Sequence, residues 1–184
     1  MARIHLHSYE ELSPEQRRVY DAVVANRGKL YGPLRAALYN PELADKWQQF
    51  GELLRYRTSL PPRLSELAIL VTARHLDCQF EWYAHEPPAT ASGLSPDVIA
   101  AIRIGKRPEF ELDDEAAIYD YCIELHKTHF VSEARYQAVL GRFGERSIVE
   151  LTALLGYYTL VAMTLNAHEI PLPAGATGPL PALK

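Results

Sequence analysis

Apolar residues recur along this chain at spacings of three and four, and no segment alternates with period two for long enough to nominate a strand. The pattern predicts an all-α fold. Ser13-Pro14-Glu15-Gln16 supplies an N-cap, a proline at the first helical position and a capping-box glutamine, so a first helix is expected from there to about Arg27, ended by Gly28. Gly32, Pro33 and Pro41 punctuate a short helical turn within residues 30–40 and open a second helix at Pro41. Its Leu43, Trp47, Phe50, Leu53 and Leu54 recur at helical spacing and are expected in the core. Pro61-Pro62 opens the next helix, where Leu64, Leu67, Ala68, Leu70 and Val71 keep the same period. Asp77 is expected to cap a helix running from Cys78 to Gly93, and Ser95-Pro96-Asp97 to start a short one that stops at Gly105.

Beyond a polar linker at residues 106–114, Asp113 or Asp114 should cap a helix to about Thr128, and Ser132 one to about Phe143. A long apolar helix then covers roughly 145–167. Residues 1–12 form an N-terminal arm, and the Pro-, Gly- and Ala-rich tail, 171–184, is expected to lie extended on a surface. The 184 residues fit a single domain with its core motif at 60–105. An internal similarity offers the alternative of two fused helical repeats. ELAILVTARHLDCQFEWYAHE, from Glu66, and ELTALLGYYTLVAMTLNAHE, from Glu150, both open with Glu-Leu and close with Ala-His-Glu.

Composition narrows the partners. A hydrophobic content of 48% allows one substantial core, while a net charge of -4 and the lack of any Lys or Arg run leave no electrostatic footprint for nucleic acid or an anionic membrane. No window reaches about 18 uninterrupted apolar residues, and the first residues hold no apolar core of signal-peptide length, so a cytoplasmic location is expected. The expected partners are a small-molecule substrate and further copies of the chain. Cys78 and Cys122 are too few for a disulfide framework and are expected as thiols.

Residues three, four and seven apart share a helix face, which would align Cys78, Glu81, Trp82 and His85. Glu66 lies one helix earlier, before an apolar run that should bury it in part, raising a carboxyl pKa and suiting proton transfer. Each residue alone has a plainer role. Glu66 could be a helix-start charge, His85 a satisfied core imidazole, Cys78 a small buried hydrophobe and Trp82 a core or interface ring. Their coincidence on adjoining helices is what nominates a site. Glu66, Glu81 and His85 could also ligate a metal, but neither an HExxH motif nor a second helical Glu-x-x-His accompanies them, and phosphate-binding glycine loops are absent, so no metal and no cofactor are expected.

Arg63, Glu66, His85, Ala89, Gly93, Leu94, Ser95 and Pro96, followed by Ile102 and Gly105, resemble the signature of the carboxymuconolactone decarboxylase family. The resemblance implies an AhpD-like helical bundle assembled as a trimer or hexamer, with sites near subunit contacts. AhpD-like peroxidases of this family carry a CxxC pair, with a His four residues after its second Cys and a Glu twelve before its first. Glu66, Cys78 and His85 keep those spacings, but Glu81 stands where the second cysteine would be, so that pair's disulfide cannot form. The decarboxylase branch lacks the pair and keeps the Glu and His.

On that resemblance the chain is expected to be a cofactor-independent enzyme performing proton transfer or decarboxylation on a small organic acid or lactone. His85 would move the proton, Glu66 or Glu81 would set its pKa, and Arg63 or Arg74 would hold a substrate carboxylate, with Trp82 completing the substrate-binding set. The alternatives are a single-cysteine thiol peroxidase acting through Cys78, and a non-catalytic oligomeric family member.

Overall fold

Prolines set most of the helix starts. In the computed structural model, which describes residues 2–30 and 32–183, α1 (Pro14–Arg27), α2 (Pro33–Ala37), α3 (Pro41–Tyr56), α4 (Pro62–His75) and α6 (Pro96–Arg103) each begin on a proline. There its missing N–H forfeits no helical hydrogen bond. With α5 (Gln79–Ala91), α7 (Asp113–Thr128) and α8 (Glu133–Ala167) they form an all-α bundle, and no strand occurs among the described residues. Ser13 and Gln16 close the capping box on α1, and the Asn40 side chain accepts from the Leu43 N–H at the start of α3.

α4 is the centre. It is apolar nearly all round, with Leu64, Leu67, Ala68, Leu70 and Ala73 wholly buried, and it packs against α5, α7 and α8. A helix surrounded by others on all sides holds fixed any polar group it carries, which matters for Glu66 in its second turn.

Several expectations are corrected in detail. On α3, Trp47 and Leu54 are buried, but Leu43, Phe50 and Leu53 are nearly half exposed, so only one edge of the apolar stripe faces the core. Asp77 does not cap α5: its backbone takes the left-handed conformation (φ 50°) in the turn after α4, and Cys78 is the N-cap residue. Leu112, not Asp113 or Asp114, precedes α7, leaving both aspartates in the first turn, where they favour the helix dipole. α8 is broken at Gly144 (φ 79°, ψ 174°), between the two helices expected there. The internal similarity is not a structural repeat. The copy from Glu66 spans α4, a turn and α5, whereas the copy from Glu150 lies mostly in the unbroken second part of α8.

α8, Glu133–Ala167, is long and apolar enough to cross a membrane by length and composition alone, with a window of mean hydropathy 1.6. Its Leu151, Leu154, Leu155, Ala162 and Leu165 are instead buried in the bundle. Both chain ends are fastened to it. Arg3 donates its N–H to the His168 carbonyl, while Gln79 bonds both the N–H and the carbonyl of Leu180 at 2.8 Å, which buries that leucine beside α5.

Replacing the fully buried Leu67 by Ala removes apolar contacts in α4 and is expected to cost about 2–5 kcal/mol, read as a lower denaturation midpoint at unchanged m-value.

Candidate active site

The turn after α4 reverses the chain so that α5 lies against it. It is closed by Cys78 N–H donating to the Ala73 carbonyl at 2.8 Å. Across this hairpin Glu66 reaches His85: its Oε2 lies 2.6 Å from the imidazole Nδ1. The other ring nitrogen, Nε2, lies 3.0 Å from Oε1 of Glu81, one turn earlier on α5. Tyr158 of α8 stands edge-on to the ring, centroids 5.0 Å apart at 85°, and fixes its plane. All four residues are buried.

An imidazole with a carboxylate oxygen at each nitrogen satisfies both only by donating from both, which is the protonated form. Burial works against that charge, but hydrogen bonds to Glu66 and Glu81, together with their charges, outweigh it and raise the His85 pKa from 6.5 to about 9. The folded state therefore holds a proton that the unfolded chain would release near neutrality. The stabilisation is complete below about pH 6.5 and is lost as pH rises through about 9. The Tyr158 hydroxyl is pushed well above its ordinary pKa by burial and by the Glu81 charge, so it remains a neutral phenol.

Glu81 and His85 open onto a cavity of about 590 Å³, within the usual range for small-molecule sites. Its walls come from α2, α3, α5 and α8 and include Arg55, Tyr56, Phe80, Tyr83, Tyr157 and Tyr158. Glu66 is not in the wall and acts on the site through His85. Pro87 and Pro88, inside α5, lack the N–H groups that would pair with the carbonyls of Tyr83 and Ala84, two residues that line the same cavity.

The other expected site residues fall elsewhere. Cys78, at the helix N-cap, is wholly buried, does not line the cavity, and has its thiol pushed up to about 12 by desolvation, against the lowering effect of backbone hydrogen bonds. It therefore does not share an accessible face with His85. Cys122 is likewise sealed, its thiol pKa raised by burial. The expectation that Arg63 or Arg74 would face the site is corrected. Arg63 is paired with Asp114 and Glu115, whereas Arg74 is paired with Asp77 and donates to the carbonyls of Arg103 and Pro181. Trp82 also points away: it is wholly buried, donates its indole N–H to Glu86 at 2.7 Å, and lies under the Arg103 guanidinium.

What the sequence left unnamed is Arg55, in the last turn of α3, and the tyrosine wall. The clue for Arg55 was a lone cation between Leu54 and Tyr56 near a helix C-terminus, a position also common on solvated faces. A second grouping of ligand-type side chains, His5, His7 and Glu11, sits on the N-terminal arm, with ligand atoms within 4.8 Å of one another.

Fold and site together define a helical bundle carrying a buried Glu-His-Glu unit on a pocket. Residues 41–108 match the carboxymuconolactone decarboxylase family. The fold matches the alkylhydroperoxidase AhpD core of an uncharacterized peroxidase-related protein from Ralstonia eutropha JMP134 (TM-score 0.77, 15% identity, 94% of this chain and 93% of that one). A peroxidase-related protein from Silicibacter sp. TM1040 is similar (TM-score 0.76, 14% identity, covering 94% and 92%). So is the debrominase Bmp8 (TM-score 0.69, 14% identity, covering 88% and 87%). No curated protein matches the sequence. The chain as a whole shares the fold of these proteins, and residues 41–108 carry the family match.

Two outcomes are expected. Glu66→Gln removes the charge at Nδ1, so the His85 pKa should drop from about 9, measured by NMR titration of the imidazole; an unchanged value would mean that Glu81 alone holds the proton. In the native chain at neutral pH, Cys78 and Cys122 should both resist an aromatic disulfide reagent and react only on unfolding. Rapid release of one equivalent from folded protein would contradict the burial of Cys78.

Proposed function

We propose that this chain is a cofactor-independent enzyme that moves a proton on a small organic acid or lactone held in the cavity, with Glu81 and His85 as the acid-base pair and Glu66 positioning the imidazole. The observation that carries this is the unit itself: both nitrogens of a buried histidine engaged by carboxylates, one of which faces the cavity. Glu81 stands where the second cysteine of an AhpD-type pair would be. A carboxylate there accepts and returns protons, so the same histidine serves general acid-base chemistry instead of thiol activation. When Glu81 takes a proton from the ligand, its bond to Nε2 weakens. When the proton returns to product, the Glu81 carboxylate and its ion pair with the imidazolium are restored, with Glu66 balancing the imidazolium charge throughout.

Proteins of the same fold include AhpD-like peroxidase-related proteins and a debrominase, so a catalytic role is in keeping with the fold. The thiol-peroxidase alternative has less support, because a reactive cysteine needs exposure and a lowered pKa and Cys78 has neither.

The test follows solvent-proton exchange and carbon dioxide release by NMR over a panel of unsaturated and lactone-bearing carboxylic acids, alongside hydroperoxide reduction with an external thiol. Glu81→Gln and His85→Ala should each lower proton-transfer turnover by about 10²–10⁴-fold. Cys78→Ser should leave it within a few-fold. Hydroperoxide turnover that vanishes in Cys78→Ser would instead establish the peroxidase. Turnover unmoved by all three substitutions would leave a non-catalytic family member.

A further inference from the structure

Among the arginines drawn into the fold, Arg63, Arg74 and Arg103 are each committed to acidic partners. Arg55 is different. It lies half-buried in the cavity wall and makes neither an ion pair nor a hydrogen bond with any described residue; its guanidinium lies over the face of Tyr56, 5.4 Å from the ring centroid. Burial opposes its charge and the negative charges of Glu66 and Glu81 support it, so the guanidinium stays charged while none of its five N–H donors bonds a described residue. A partly desolvated, unpaired arginine in a pocket is costly unless something anionic completes it.

The same cavity is walled by Tyr56, Phe80, Tyr83, Tyr157 and Tyr158. Flat, weakly polar surfaces of this kind favour a flat ligand, through stacked and edge-on contacts. The same wall holds the carboxylate of Glu81, which repels a second carboxylate and so sets the ligand's direction.

We propose that the cavity binds a planar aromatic or conjugated carboxylate, with Arg55 as the residue that takes the carboxylate as a bidentate pair and the Glu81 end facing the ligand's reacting carbon. This deepens the proton-transfer reading, from which it takes only the orientation of the ligand; the anion site itself stands on Arg55 and the aromatic wall. An ion pair that holds the ground state works against expulsion of the same carboxylate. The group at Arg55 is therefore an anchor kept through turnover, and the chemistry falls on an atom further along the conjugated frame.

The probes are benzoate and its neutral isostere benzamide, with binding to the full chain measured by calorimetry and no turnover required. Benzoate should bind wild type more tightly than benzamide does. Arg55→Met should weaken benzoate roughly ten- to a hundredfold, the range for losing a charge-assisted pair, and leave benzamide within about twofold. Unchanged benzamide binding also shows that the variant's pocket is intact. Arg55→Lys should recover part of the loss, because a point charge replaces the fork. Glu81→Gln should keep or strengthen benzoate binding, since a like charge is removed. The proposal is overturned if benzoate fails to bind at millimolar concentration, if benzamide binds wild type equally well, or if Arg55→Met leaves benzoate unchanged. If binding follows Arg55 while turnover is indifferent to His85 and Glu81, the anion site stands and the catalytic reading falls.

Discussion

A positively charged imidazole held between two carboxylates, inside an otherwise apolar bundle, is the constraint on which the rest of this molecule turns. Either carboxylate alone in that position would face a large desolvation cost, and so would the imidazolium. Together they satisfy one another: Glu66 at 2.6 Å from one ring nitrogen, Glu81 at 3.0 Å from the other, and Tyr158 edge-on against the ring plane. The arrangement tolerates little displacement, which explains why it is built on α4, the helix with the most complete apolar surround, and on the helix joined to it by a tight turn.

The division of labour inside the unit follows from which member the cavity exposes. Glu66 is behind the ring and sets its charge and orientation, while Glu81 faces the open volume and is the group a ligand can meet. The helix that carries Glu81 and His85 also contains two successive prolines, and the tyrosines of α8 line the cavity beside it. A site made from α3, α5 and α8, with its buried partner on α4, draws on segments more than a hundred residues apart in the chain. Its shape is thus a property of the bundle, not of any one motif.

The cysteine illustrates how burial decides chemistry. Helix N-termini lower thiol pKa values, and Cys78 occupies such a position, with backbone hydrogen bonds that act in that direction. Desolvation is larger, and the thiol ends near 12. In the same stretch the carboxylate of Glu81, three residues on, reaches both the histidine and the cavity. One short segment thus seals a thiol in the core while presenting an oxygen acid to the cavity.

Much of this was legible in the residues themselves. Proline and cap positions located the helix starts to within a residue or two, the three-four periodicity of Leu64 to Val71 marked the central helix, and the one-turn spacing of Glu81 and His85 put them on one face. These are local facts, governed by backbone sterics and by a period of 3.6. What periodicity could not decide was direction. Cys78 and Trp82 fit the same stripe as Glu81 and His85 but are sealed in the core of a bundle in which α4 packs against α5. Arg63 and Arg74 lay near the motif in sequence and were claimed by acidic neighbours far from the pocket, whereas Arg55, outside the motif, was left facing it. Which charge is paired and which is left for a ligand depends on contacts between distant helices, and only the packed bundle determines them.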